Sequence, residues 1–83
     1  DIETAHAMLD SKRYLYVGFL CHLVVEKSLK AYFQHLRRID PPPIHNLKTL
    51  AERSGLVERL SPEQKRLLNV LEPLNIRAAI PGL

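Results

Sequence analysis

The sequence predicts an all-α domain, an antiparallel up-and-down bundle of about four helices. Three observations carry that prediction. Apolar residues recur at helical spacing along most of the 83 residues. β-branched residues are few, and no segment alternates apolar and polar positions as a strand would. Prolines and a Ser61-Pro62-Glu63-Gln64 start signal cut the chain into helix-sized pieces with short connections.

Residues 1–11 read as a first helix. Ile2, Ala5, Met8 and Leu9 share a face, Asp1 and Glu3 suit an N-terminus, and Asp10-Ser11-Lys12 reads as the connector that follows. A long second helix is expected over about residues 14–37. Its first half is apolar almost all round (Leu15, Tyr16, Val17, Phe19, Leu20, Leu23, Val24, Val25), the pattern of a helix set among several neighbours. Its second half is amphipathic, with Val25, Leu29, Tyr32, Phe33 and Leu36 on one face. Lys27, Lys30, Gln34, Arg37 and Arg38 occupy the other, and Glu26 precedes Lys30 by four positions, the favourable order for a helical ion pair.

Pro41-Pro42-Pro43 forces an end to this helix, because each proline lacks an N–H and restricts the residue before it. The run reads as a stiff spacer. A third helix begins near His45-Asn46, either of which can cap it. It carries Leu47, Leu50 and Ala51 inward and stops at Gly55. The fourth starts at Ser61 with Pro62 in its first turn and Gln64 three residues after the cap, and buries Leu67, Leu68 and Leu71 before Pro73 ends or kinks it. Residues 74–83 form a short tail with room for one more helical turn.

Composition narrows the function. Hydrophobic residues make up 46% of the chain and aromatic residues only 6%, so aliphatic side chains build the core. That aliphatic surplus, in a chain this small, predicts a second apolar surface covered by a partner or a second copy. A homodimer through the first helix and the apolar half of the second is expected. Twelve basic against nine acidic residues give a net charge of +3, which permits phosphate contact without demanding it. One cysteine excludes an intramolecular disulfide framework and a cysteine-based zinc site, and points to the cytoplasm. The apolar run at 15–25 is too short to span a membrane, and no secretory leader opens the chain. Three glycines, none in a glycine-rich loop, exclude the common phosphate cradles, and no cofactor is expected.

Several residues are candidates for chemistry. Glu26, Lys27, Lys30 and Arg37 form a candidate nucleotide- or RNA-binding set in which Glu26 orients a lysine beside a phosphate. The preferred reading is plainer, an exposed ion-paired face or an intersubunit salt bridge. A basic stripe of Lys27, Lys30, Arg37, Arg38 and Lys48 is as well explained by solvation as by binding. Tyr32 and Phe33 face away from it and offer no stacking platform. His22 and Glu26 have the i, i+4 spacing of metal ligands, but only His6 or a second chain is available to complete a site, so no metal is expected and a hydrogen-bonded, partly buried His22 is preferred. Cys21 reads as a small core residue, and His35 as an exposed one.

Phe19 to Phe33, FLCHLVVEKSLKAYF, resembles the central helix of the HEPN domain, whose members carry E-K-x-L-K-A after an apolar run. Glu26, Lys27, Leu29, Lys30 and Ala31 match that core. Pro43-Ile44-His45-Asn46-Leu47 with Leu50 resembles the family's P-x-H-(N/D)-L-x-x-L segment, and Leu71, Pro73, Ile76, Ala78 and Pro81 fit its L-N-P-x-x-I-x-A-R-Y-P element. The family's Arg-Tyr before the last proline is here Ala79-Ile80, and many members continue past that proline into a further helix. These departures fit a divergent member, or a domain over residues 1–83 whose native chain is longer at one or both ends.

The resemblance implies a helical bundle that pairs with a second copy. It also implies a setting in a toxin–antitoxin system beside a minimal nucleotidyltransferase antitoxin, with RNA or a nucleotide as ligand. Active members are metal-independent RNases with an Arg-x(4–6)-His motif. Arg38 and His45 satisfy that spacing and are the candidate catalytic pair, Arg38 facing the phosphate and His45 moving protons. Three prolines between them and the missing Arg-Tyr favour the non-catalytic alternative, in which His45 caps a helix and Arg38 is solvated.

Overall fold

The computed structural model describes residues 1–76, whose regular structure is entirely helical. Helix α1 covers Ile2–Arg37, α2 Leu47–Ser54 and α3 Pro62–Leu71, with 3-10 turns at Leu56–Arg59 and Glu72–Leu74. Among the described residues there are thus three α-helices rather than about four. The first two expected helices are one: Asp10-Ser11-Lys12 lies inside α1 and breaks nothing. It contains neither Gly nor Pro, and Asp10 sits one turn before Arg13, 3.8 Å from its guanidinium, so the local cost of staying helical is small. At 1.5 Å per residue α1 is about 54 Å long, and it sets the 53 Å long dimension of the molecule.

Asp1 caps α1 by accepting from the Thr4 N–H at 2.7 Å. The helix ends at Arg37, four residues before the first proline, through Arg38 in the left-handed conformation (φ 62°), whose N–H donates to the Gln34 carbonyl at 2.9 Å. The prolines follow this stop rather than make it. Asn46, not His45, caps α2, accepting from the Thr49 N–H at 2.8 Å. Gly55 closes α2 with φ 80°, a conformation that only glycine adopts without strain. Ser61 and Gln64 form the expected reciprocal capping box on α3.

The core lies where α2 docks on the second half of α1. Leu47, Leu50 and Ala51 are fully buried, packed with Leu29 and Leu71. Arg37 fastens the far end of α2 by donating to the Arg53 carbonyl at 3.0 Å. After α3, Pro73 turns the chain into its 3-10 segment as expected, and Leu74 crosses α1 at Gly18, where an added Cβ would stand 2.7 Å from Leu74 Cδ1. The end of the described chain is therefore seated on the middle of α1. Ala78, Ala79, Ile80 and Pro81 lie outside the described residues.

Two expectations about burial fail. Cys21 is exposed rather than in the core, and Leu67 is half exposed while Leu71 is buried. Both lie on an apolar surface with Val17, Leu20 and Val24, the last 65% exposed. Residues 2–17 of α1 are exposed throughout, with nothing from the rest of the described chain covering Ile2, Met8 or Leu9. The all-round apolar pattern at 15–25 therefore marks one internal face at Phe19 and a large uncovered one.

Candidate functional site

The polar residues singled out in the sequence converge at the junction of α1, α2 and the turn after α3. Glu26, expected on an exposed ion-paired face, is buried, with 1% of its side chain accessible. A buried carboxylate persists only when donors replace its hydration. Two partners reach one oxygen: Lys30 Nζ donates to Oε2 at 3.1 Å, and His45 Nδ1 lies 2.9 Å from the same atom. The i, i+4 spacing brings Lys30 there, while His45 arrives from the loop that leads into α2. Lys30 thus turns inward instead of lining the outer basic face.

His22, one turn before Glu26, is completely buried. Its Nε2 pairs with Glu72 Oε2 at 3.4 Å. Its Nδ1 lies 3.6 Å from Glu26 Oε1, close enough for electrostatic attraction and too long for a hydrogen bond, and has no hydrogen-bond partner. Glu72 in turn accepts from the Leu47 N–H through both carboxylate oxygens, at 3.0 and 3.2 Å. Leu47 is the first residue of α2, so its N–H has no partner within the helix. Glu72 supplies that partner and places negative charge at the positive end of the helix dipole. One chain of contacts, Leu47–Glu72–His22–Glu26–His45, therefore ties the start of α2 and the end of α3 to the middle of α1, with Lys30 attached at Glu26.

His45 is the open end of this chain. Its side chain is 43% exposed while its partner Glu26 is almost wholly enclosed. The remaining candidates lie elsewhere. Lys27 is exposed and flanks the apolar hollow beside Leu20, Leu23 and Val24. Arg37 is occupied by the Arg53 carbonyl. Arg38 shares a shallow surface depression with Ala31, Gln34 and His35, and among the described residues no hydrogen bond or ion pair joins it to His45. Phe33 is buried and Tyr32 lines an apolar groove between α1 and α3, so neither is a stacking platform beside the polar cluster.

His6 lies about 24 Å from His22 along α1 at 1.5 Å per residue, which removes the one third ligand from this chain that the sequence offered. No group of three His, Cys, Asp or Glu among the described residues is arranged to hold a metal ion. Glu72 was missed at the sequence level. It lies 50 residues from His22 and 25 from Leu47, and only the fold joins them. The one local hint was its position immediately before Pro73, where helical direction changes.

The HEPN domain family model matches residues 1–83, the whole of the chain. No curated protein and no solved structure matches it. Among the described residues, no helix is long and apolar enough to cross a membrane.

Proposed function

The chain belongs to the HEPN domain family, and on that premise we propose that it works as a dimeric, nucleotide- or RNA-associated module of a toxin–antitoxin or nucleotidyltransferase-associated system, without cleaving RNA itself. The observation that carries this reading is the meeting of Lys30 and His45 on a single buried carboxylate at the edge of the fold. A cation and an imidazole held side by side on a rigid support suit a ligand with a phosphate and polar groups near it. The chain's net charge of +3 favours such a ligand over a cationic one.

The non-catalytic form of the reading rests on Arg38. Cleavage by the Arg-x(4–6)-His motif requires the motif's own arginine at the phosphate that the histidine serves. Arg38 stands instead at the left-handed end of α1, beyond which three prolines intervene before His45. The second reading, a metal-independent RNase using Arg38 and His45, draws on the exposure of His45, which leaves it free to meet a substrate. The dimer draws on the uncovered apolar surface of Val17, Leu20, Val24 and Leu67, and a minimal nucleotidyltransferase antitoxin is the partner that the family resemblance implies. Cytoplasmic residence follows from the same setting.

Binding to a short fluorescent RNA tests the module. Anisotropy titrations in increasing salt are expected to give an affinity that falls with ionic strength, because phosphate contacts release counterions. Lys30→Ala should weaken binding and flatten the salt dependence by about one contact. Salt-independent binding, or a Lys30→Ala variant that binds as tightly as the parent, contradicts the reading.

A further inference from the structure

We propose that Glu26 is the positioning residue for His45, fixing its ring as the Nδ1–H tautomer so that Nε2 faces outward as an acceptor for a ribose hydroxyl. The inference rests on the RNA-associated reading of the same site and adds what the site recognises. It begins from the chemistry of one oxygen. Glu26 Oε2 lies 3.1 Å from the Lys30 ammonium, which can only donate. An ammonium at that distance favours the ionised carboxylate, which only accepts. Beside a carboxylate, His45 Nδ1, 2.9 Å from the same oxygen, is assigned as the donor in the second bond. A neutral ring that donates through Nδ1 has its lone pair on Nε2.

Exposure gives the direction. Glu26 is enclosed and holds the Nδ1 edge of the ring, whereas 43% of the His45 side chain is accessible. Nε2 has no partner among the described residues and is not a buried atom, so this nitrogen presents an acceptor to solvent. The support behind it is rigid: Glu26 lies on the central helix, and Asn46, the next residue after His45, caps α2, whose first N–H is held by Glu72. The ring cannot turn over without giving up the bond to Glu26 or unseating the start of α2.

An acceptor nitrogen next to an ammonium fits a ligand that offers a hydroxyl donor near a phosphate. Each unit of RNA carries that pair in its 2′-hydroxyl and backbone phosphate, and DNA lacks the hydroxyl. The arrangement therefore selects ribose over deoxyribose in binding, whether or not any bond is broken afterwards. It also makes Glu26, Lys30 and His45 one site, where the sequence suggested two.

The test reads the ring nitrogens of the full chain by long-range ¹⁵N–¹H NMR, first free and then with an RNA tetranucleotide or its DNA counterpart. The expected result is a protonated Nδ1 and a bare Nε2 on His45, and an Nε2 resonance that moves on adding RNA. DNA should bind about five- to tenfold more weakly, the value of one lost hydrogen bond. Glu26→Gln, whose amide oxygen still accepts from Nδ1–H, should keep the tautomer, and Glu26→Ala should shift the ring toward Nε2–H. Because the parent protein alone reports the tautomer, an unfolded Ala variant does not spoil the test. An Nε2–H ring in the parent overturns the role of Glu26. Equal affinity for RNA and DNA overturns the ribose assignment alone, and no binding of either overturns the functional reading together with the ligand assigned here.

Discussion

Glu26→Ala lowers the melting temperature by at least about 12 °C at fixed protein concentration, whereas Glu63→Ala lowers it by only a few degrees. Removing one partner from a buried charged group costs about 3–5 kcal/mol, and each kcal/mol moves the midpoint of a domain this small by about 4–8 °C. Glu26 holds Lys30 and His45 on one oxygen and faces His22 with the other. Its loss leaves the mostly buried Lys30 ammonium and the His45 ring without their shared acceptor, and the enclosed His22 without its facing charge. The Glu63–Arg66 pair has the same type of charges one turn apart, at 3.4 Å, with both side chains largely in water, where such pairs contribute little. Differential scanning calorimetry of the two variants decides the matter. Equal melting temperatures would mean that the cluster is not what holds α2 and the last turn to α1.

The second large effect concerns assembly. If the proposed dimer closes over the uncovered apolar surface, Val24→Asp is expected to convert it to a monomer at micromolar concentration in sedimentation equilibrium, raising the dissociation constant at least about a hundredfold. Val24 is 65% exposed in the isolated chain, in line with Leu20 and Val17 on the same helix and beside Leu67 of α3. A carboxylate there costs the monomer little, because the site is open to water. In a dimer closed over this surface it is desolvated without a partner, a penalty of several kcal/mol. Unchanged helix content by circular dichroism separates dissociation from unfolding. A parent protein that is already monomeric, or a variant that remains dimeric, contradicts the assignment of this face.

The local grammar of the chain was legible wherever a signal acts within a few residues. Ser61-Pro62-Glu63-Gln64 starts α3, Gly55 stops α2, Pro73 turns the chain, and the Glu26–Lys30 spacing gives the bond that it promises. Leu47, Leu50 and Ala51 form the inward stripe that their spacing predicts. Asp10-Ser11-Lys12 misled because weak helix formers lower helicity only slightly, and nothing nearby favours a turn over continuation. The polar cluster was out of reach for a different reason. Glu26 meets His45, 19 positions downstream, and Glu72 meets His22 from 50 positions downstream, and no local pattern distinguishes side chains that such distant partners will enclose from ones on a solvated helix face. His45 and Asn46 were equal candidates for capping, and the choice of Asn46 is what frees His45 to meet Glu26. Cys21 and Leu67 were read as core because apolar spacing marks a face without stating which chain covers it.

The site is expected to hold RNA and leave it intact. A pool of structured and unstructured RNAs, incubated with the purified parent protein in the presence and absence of EDTA, measures both properties when the bound fraction is isolated and its length profile compared with the input. The predicted result is RNA retained at full length in both conditions, with retention reduced by Lys30→Ala. RNA shortened by the parent protein but not by His45→Ala contradicts the claim and establishes the nuclease reading in its place.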